Sequence, residues 1–68
     1  MQRTPVDSSN LSSVGYGNST LEIEFHSGKV YRYLHVPEMV YSALMSAPSK
    51  GNYFYTYIKD KYPYQPLN

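Results

Sequence analysis

The stretch APSKGNYF, residues 47 to 54, gathers residue types that can hold an anion. If Asn52 opens a helix, the N–H groups after it, the flexible backbone at Gly51, the Ser49 hydroxyl and the Lys50 ammonium can all donate to one phosphate. The same letters also punctuate a helix-loop-helix turn, in which Gly51 supplies backbone freedom and Asn52 caps the second helix. The spacing lacks the long glycine-lysine pattern of a nucleoside-triphosphate loop. A second pattern runs through the carboxyl-terminal third, where Tyr53, Tyr55, Tyr57, Tyr62 and Tyr64 interleave with Lys50, Lys59 and Lys61. Aromatic faces beside a basic groove hold single-stranded nucleic acid. The plainer reading packs about half of these rings on a sheet and leaves the rest solvated. The candidate ligand set is therefore Ser49, Lys50, Gly51, Asn52, Tyr53, Tyr55, Lys59, Lys61 and Tyr62.

Catalytic patterns are missing. The chain has no cysteine, and His26 and His35 do not make the i, i+4 pair of a metal-binding helix. Asp7, Ser8 and Ser9 lie near the start, where a hydroxyl bonds backbone more readily than it attacks a substrate. The residues point to a non-enzyme that needs no cofactor and no metal.

At 68 residues there is room for one domain, and a chain of this size buries only about 60% of the surface exposed by its unfolded form. Nine tyrosines and two phenylalanines, with no tryptophan, must supply much of that core. A net charge of +1 argues against a nonspecific duplex binder, whose affinity rests on neutralising many phosphates. The charges are unevenly spread. Residues 20 to 40 carry Glu22, Glu24 and Glu38 against Lys29 and Arg32, whereas residues 49 to 64 carry Lys50, Lys59 and Lys61 against Asp60 alone, so an anionic partner should prefer the carboxyl-terminal third. No apolar run reaches the roughly 20 residues that span a bilayer, and the opening MQRTPVDSSN is too polar for a secretory signal. Together with the absence of cysteine, this predicts a cytoplasmic protein with no membrane partner.

The elements that must position these residues follow from periodicity. Residues 1 to 9 read as an irregular lead-in, 10 to 62 as a single domain, and 63 to 68, with Pro63 and Pro66, as an irregular tail. Between them, three antiparallel strands are predicted. The first runs from about Leu11 to Tyr16 and turns at Gly17-Asn18, which tolerates positive φ. The second puts Leu21, Ile23 and Phe25 on one face and Thr20, Glu22 and Glu24 on the other. The next turn decides where Tyr31 and Tyr33 point. A two-residue turn at Ser27-Gly28 would set Arg32 opposite Ile23 on the apolar face, which is costly. A three-residue loop, His26 to Gly28 with Gly28 left-handed, instead pairs Ile23 with Tyr31, Leu21 with Tyr33 and Glu22 with Arg32, and makes the two tyrosines core or rim residues.

After Val36 the period becomes helical, with Pro37 as first helical residue, Glu38 in the first turn, and Val40, Tyr41, Leu44 and Ala47 on one side. Residues 52 to 60 are ambiguous. Tyr53, Tyr55 and Tyr57 alternate like a strand, while Phe54, Tyr57, Ile58 and Lys61 would share a helical face, and propensity leans to strand.

The ordered set SSNLSSVGY, LEIEFHSGKVYRY, VPEMVYSAL, APSKGNYF and YIKDKY resembles the KTSC domain from about Ser8 to Tyr62. Tyr31-x-Tyr33, Val36-Pro37 and the Ala47-x-Ser49-x-Gly51 step carry the resemblance. The family is named for its occurrence at the carboxyl end of some lysyl-tRNA synthetases and also occurs as stand-alone small proteins. The resemblance implies an RNA-related role by context, and it shifts residues 52 to 60 to a short helix. This chain departs from it at Tyr55 and Thr56, where other members often carry asparagine. The resulting expectation is an α+β fold, a three-stranded antiparallel sheet followed by two short helices packed on one face. The expected function is a small non-catalytic module that binds RNA or another nucleotide-containing ligand through its Tyr/Lys-rich end. The alternative is a protein-interaction or self-association module, a homo-oligomer included, that uses exposed tyrosines or a free strand edge.

Overall fold

Alternating apolar and polar residues from Leu11 to Tyr33 fold, in the computed structural model of all 68 residues, into the centre of an antiparallel meander. Its strands are β1 (Arg3–Pro5), β2 (Leu11–Gly17), β3 (Thr20–Phe25), β4 (Val30–Tyr33) and β5 (Tyr64–Pro66), in that spatial order, and helices α1 (Glu38–Ser46) and α2 (Lys50–Tyr57) lie between β4 and β5 in the chain. The α+β class is as expected, with five strands in place of three.

The β3–β4 hairpin has the expected register: Leu21 faces Tyr33, Glu22 faces Arg32, and Ile23 faces Tyr31. The Phe25 N–H donates to the Lys29 carbonyl at 2.9 Å and the Gly28 N–H to the Phe25 carbonyl at 2.9 Å, with Gly28 at φ +93°. Three residues are thus looped out, and the glycine takes the left-handed position that a Cβ would disfavour. The β2–β3 turn differs by one residue from expectation. Gly17 remains in the ladder opposite Thr20, and Asn18 (φ 51°) and Ser19 (φ 60°) are the two left-handed residues, the pattern of a two-residue primed turn. The Val36 N–H donates to the Ser19 carbonyl at 2.8 Å and helps hold this conformation. A bulge between Leu11 and Ser13 lets Leu11 and Val14 both face inward, a spacing that simple alternation would split between faces.

The lead-in and the tail are edge strands and not irregular segments. Arg3–Pro5 pairs with β2, and Tyr64–Pro66 with β4. Each is three residues long and contains a proline, which only an edge tolerates, so neither has a local strand signature. Long-range bonds hold them instead. The Leu67 N–H donates to the Val30 carbonyl at 2.8 Å, and Asn68 bridges the Val30 N–H at 3.0 Å and the Gly28 carbonyl at 2.8 Å.

On the solvent side of the sheet, Arg3, Gly15, Glu22, Arg32 and Gln65 form one cross-strand row. Glu22, 5% exposed, takes Arg3 Nη1 on one oxygen at 2.7 Å and Arg32 Nη2 on the other at 2.9 Å. Burial by itself raises the Glu22 carboxyl, and the hydrogen bonds and charges of Arg32 and Arg3 outweigh it, leaving a net shift below the usual value. Gly15 makes the row possible: a Cβ there would sit 2.9 Å from the Gln2 carbonyl oxygen and 3.0 Å from Arg3 Cγ.

The opposite face carries the core of Leu11, Val14, Leu21, Ile23 and Tyr33, closed by Val36, Leu44 of α1, and Phe54 and Ile58 of α2. Pro37 stands one position before the first helical residue, and its carbonyl accepts from the Val40 N–H at 3.0 Å. In α2 the cap is Ser49, whose hydroxyl accepts from the Asn52 N–H at 3.3 Å, so Asn52 lies within the first turn and does not cap. Burying Gly51, Phe54 and Ile58 at helical spacing overrides the strand-like alternation of Tyr53, Tyr55 and Tyr57. Tyr57 and Lys61, expected on that same face, are exposed.

Two outcomes are expected in urea unfolding. Glu22→Gln loses about 1–3 kcal/mol near neutral pH, since two charge-assisted bonds are weakened. Because the folded carboxyl lies below its ordinary value, its contribution is complete above that value and vanishes as pH falls through the folded one. Wild type should therefore lose stability more steeply than Glu22→Gln from about pH 5 downward, and parallel curves would contradict the ion-pair account. Gly15→Ala should cost about 1–3 kcal/mol, because the clash is with backbone as well as with Arg3.

Candidate functional site

Phe54 is the ring around which the site is built. Phe25 and Tyr33 meet it edge-on, with centroids at 5.5 and 5.6 Å, and Phe25 in turn meets Tyr31 at 5.7 Å. Tyr64 of β5 extends the layer against Tyr31 at 5.4 Å and Tyr33 at 5.7 Å. Between this aromatic floor, the β3–β4 hairpin tip and α2 lies a cleft of about 370 Å³. His26, Ser27 and Lys29 form its wall on the hairpin side, and Gly51, Tyr55 and Lys59 form the wall on the α2 side. Ser9 and Asn10 close one end.

That end is held by an interlocked loop. The Ser8 hydroxyl accepts from the N–H groups of Asn10 and Leu11, both at 3.2 Å. The Ser8 carbonyl lies 2.8 Å from His26 Nε2, which must carry the proton because a carbonyl only accepts. The His26 N–H donates to the Asn10 carbonyl at 3.0 Å. Gly51 is buried against this loop: a Cβ would come within 3.2 Å of Asn10 Nδ2. The glycine lets the Asn10 side chain approach closely and takes no special backbone angle.

The charge of the cleft is positive. Lys29 and Lys59 stand on opposite walls and no carboxylate lines it. Lys59 Nζ lies 5.3 Å from the Tyr55 ring centroid, a cation–π contact at an exposed ring, and 3.9 Å from the exposed Asp60 carboxylate. Asp60 belongs to a smaller adjoining depression shared with Tyr31, Tyr33 and Tyr64. Burial, the neighbouring phenols of Tyr31 and Tyr64, and Asp60 push the Tyr33 hydroxyl up to about 12. It remains a neutral hydrogen-bonding group at any physiological pH.

Of the residues singled out from the sequence, the cleft brings together Gly51, Tyr55 and Lys59, and adds Tyr31 and Tyr33. Tyr33 is buried, and Tyr31 is half-buried at the rim. Ser49, Asn52 and Tyr53 lie instead along a shallow groove on another side of α2, together with Tyr57. The Lys50 ammonium turns back to the Ala47 carbonyl at 3.2 Å, so it does not join Ser49 and Asn52 in a phosphate cradle. Lys61 is exposed beyond the helix, and Tyr62 packs half-buried on the core. Ser9, Asn10, His26, Ser27 and Lys29 escaped sequence reasoning. They come from two turns far apart in the chain, and nothing in their local spacing signals a shared wall.

No helix is long and apolar enough to cross a membrane. A family model for the KTSC domain matches residues 7–62. A lysine–tRNA ligase of Trichormus variabilis is 51% identical over 49 residues, which is 72% of this chain and 9% of that protein. The ligase of Nostoc punctiforme is 49% identical over a segment of the same length. The matched segment thus spans less than a tenth of either ligase. A protein of Stutzerimonas stutzeri is 46% identical over 56 residues, 79% of each chain. The crystal structure of a KTSC domain protein from Yersinia pestis superposes with a TM-score of 0.96 at 43% identity, covering 98% of this chain and 97% of that one. With the family match extending over all but the two ends, and a solved relative sharing the whole fold, this chain belongs to the KTSC domain family.

Proposed function

We propose that this chain is a small, non-catalytic RNA-binding module that seats one nucleotide of a single strand in the cleft between the β3–β4 hairpin tip and α2. The observation that carries this reading is the pairing of an aromatic floor with Lys29 and Lys59 on facing walls and no carboxylate between them. Tyr33 and Phe54 are buried, and the accessible phenols Tyr31 and Tyr55 offer a base about 1–3 kcal/mol of stacking each, largely independent of sequence. The lysines supply the phosphate contacts, and the cleft falls within the size range of small-molecule sites, about 300–1,000 Å³. The relatives named as lysine–tRNA ligases act with an RNA, which supports an RNA partner here and a place beside it in the cytoplasm. The basic contribution thus moves from Lys50, Lys59 and Lys61 to Lys29 and Lys59. The self-association reading has less support: both free edges are three-residue strands carrying Pro5 and Pro66, which leave little ladder for another chain to extend.

Titration of a fluorescent single-stranded RNA at rising salt tests the proposal. Weak binding is expected, with a log–log slope of about −1.4 if two phosphates are neutralised. Lys29→Glu with Lys59→Glu should weaken binding at low salt by about tenfold or more, whereas Lys61→Glu, off the cleft, should change it far less. Failure to bind at low salt, or binding unaffected by the double substitution, would overturn the proposal.

A further inference from the structure

Asn10 stands apart from the other polar residues of the cleft. Its backbone is fully engaged, the N–H with the Ser8 hydroxyl at 3.2 Å and the carbonyl with the His26 N–H at 3.0 Å. Its side-chain amide makes no hydrogen bond within the chain and lies over the bare surface of Gly51, where a Cβ would meet Nδ2 at 3.2 Å. An exposed carboxamide with donor and acceptor both open, at the end of an aromatic cleft flanked by two lysines, is equipped to read a planar ligand with its own adjacent donor and acceptor. Serine and lysine groups in the same cleft cannot do this, since they lack a fixed coplanar pair.

We infer that Asn10 is the specificity-determining residue of the cleft and that the nucleotide it selects carries adenine. This rests on the RNA-binding reading above and adds to it the identity of the base. Oδ1 accepts from the exocyclic amino group of adenine while Nδ2 donates to the adjacent ring nitrogen, the two-bond match that asparagine makes with this base. The two-ring purine also covers more of the aromatic floor than a pyrimidine, which favours adenine over cytosine, whose edge presents the same donor–acceptor order. Lys29 and Lys59, on either side, are left for the flanking phosphates.

The test uses the full chain and short single-stranded RNA probes that are uridine throughout except for one central position, varied through A, G, C and U. Wild type should prefer the central A by about tenfold over the other three. Asn10→Ala should bind the A and G probes alike and keep only the purine-over-pyrimidine difference that stacking supplies, and Asn10→Asp, which accepts but cannot donate, should lose the preference for A over G while keeping the same shape. Unchanged thermal melting of both variants would show that the fold is intact, as expected for a side chain with no internal bond. Equal binding of all probes by wild type, preference for another base, or a preference for A over G that survives in Asn10→Ala overturns the inference. If such binding still requires Lys29 and Lys59, the RNA-binding reading stands without it. Binding of none of the probes overturns both.

Discussion

The parity of the β3–β4 hairpin governs both faces of this sheet. With three residues looped out at His26–Gly28, Glu22 and Arg32 share the solvent side, while Ile23 with Tyr31 and Leu21 with Tyr33 share the core side. A shift by one residue would leave Leu21 and Ile23 inward but turn Tyr31 and Tyr33 to solvent and bury Arg32 against apolar neighbours. Gly28 at φ +93° supplies the bend that allows the favourable parity. The Asn68 side chain reinforces it by bonding on both sides of Lys29, to the Gly28 carbonyl and the Val30 N–H. The same clasp holds the hairpin tip where it becomes a wall of the cleft.

On the outer face, one carboxylate organises three strands. Glu22 on β3 draws Arg3 from β1 across Gly15 of β2 and Arg32 from β4, so an edge strand of three residues is tied to the centre by charge as well as by its ladder. On the inner face, aromatic rings do the equivalent work. Phe54 packs edge-on against Phe25 and Tyr33, and Tyr64 brings β5 into the same layer. An aliphatic core with Tyr33 and Phe54 at its side closes over the sheet without filling its margin, and the cleft lies where the rings run out beside α2. Two glycines mark close approaches between segments, Gly15 under Arg3 and Gly51 against Asn10. Neither is at a turn, and each is small because another segment lies on it.

The two ends of the chain share a logic with the site. β1 and β5 have no strand pattern of their own, and both are strands through pairing with the edges of the central three. Ser9, Asn10 and Lys29 likewise become neighbours of Tyr55 and Lys59 only after the sheet and α2 have packed. In both cases segments of low intrinsic preference take their place from the elements they pack on.

Local chemistry was enough to determine the register of the central hairpin, the inward tyrosines, the Glu22–Arg32 pair, the helix after Val36 and the α+β class, because each depends on the cost of a charge or an apolar ring on the wrong face. The family resemblance, and not propensity, pointed to helix for residues 52 to 60, where alternating tyrosines read as strand. Tertiary structure alone decided that Arg3 joins Glu22 and that Arg3–Pro5 and Tyr64–Pro66 are strands. These depend on which surfaces meet across the fold, and spacing along a chain holds no record of an approach between segments that only packing brings together.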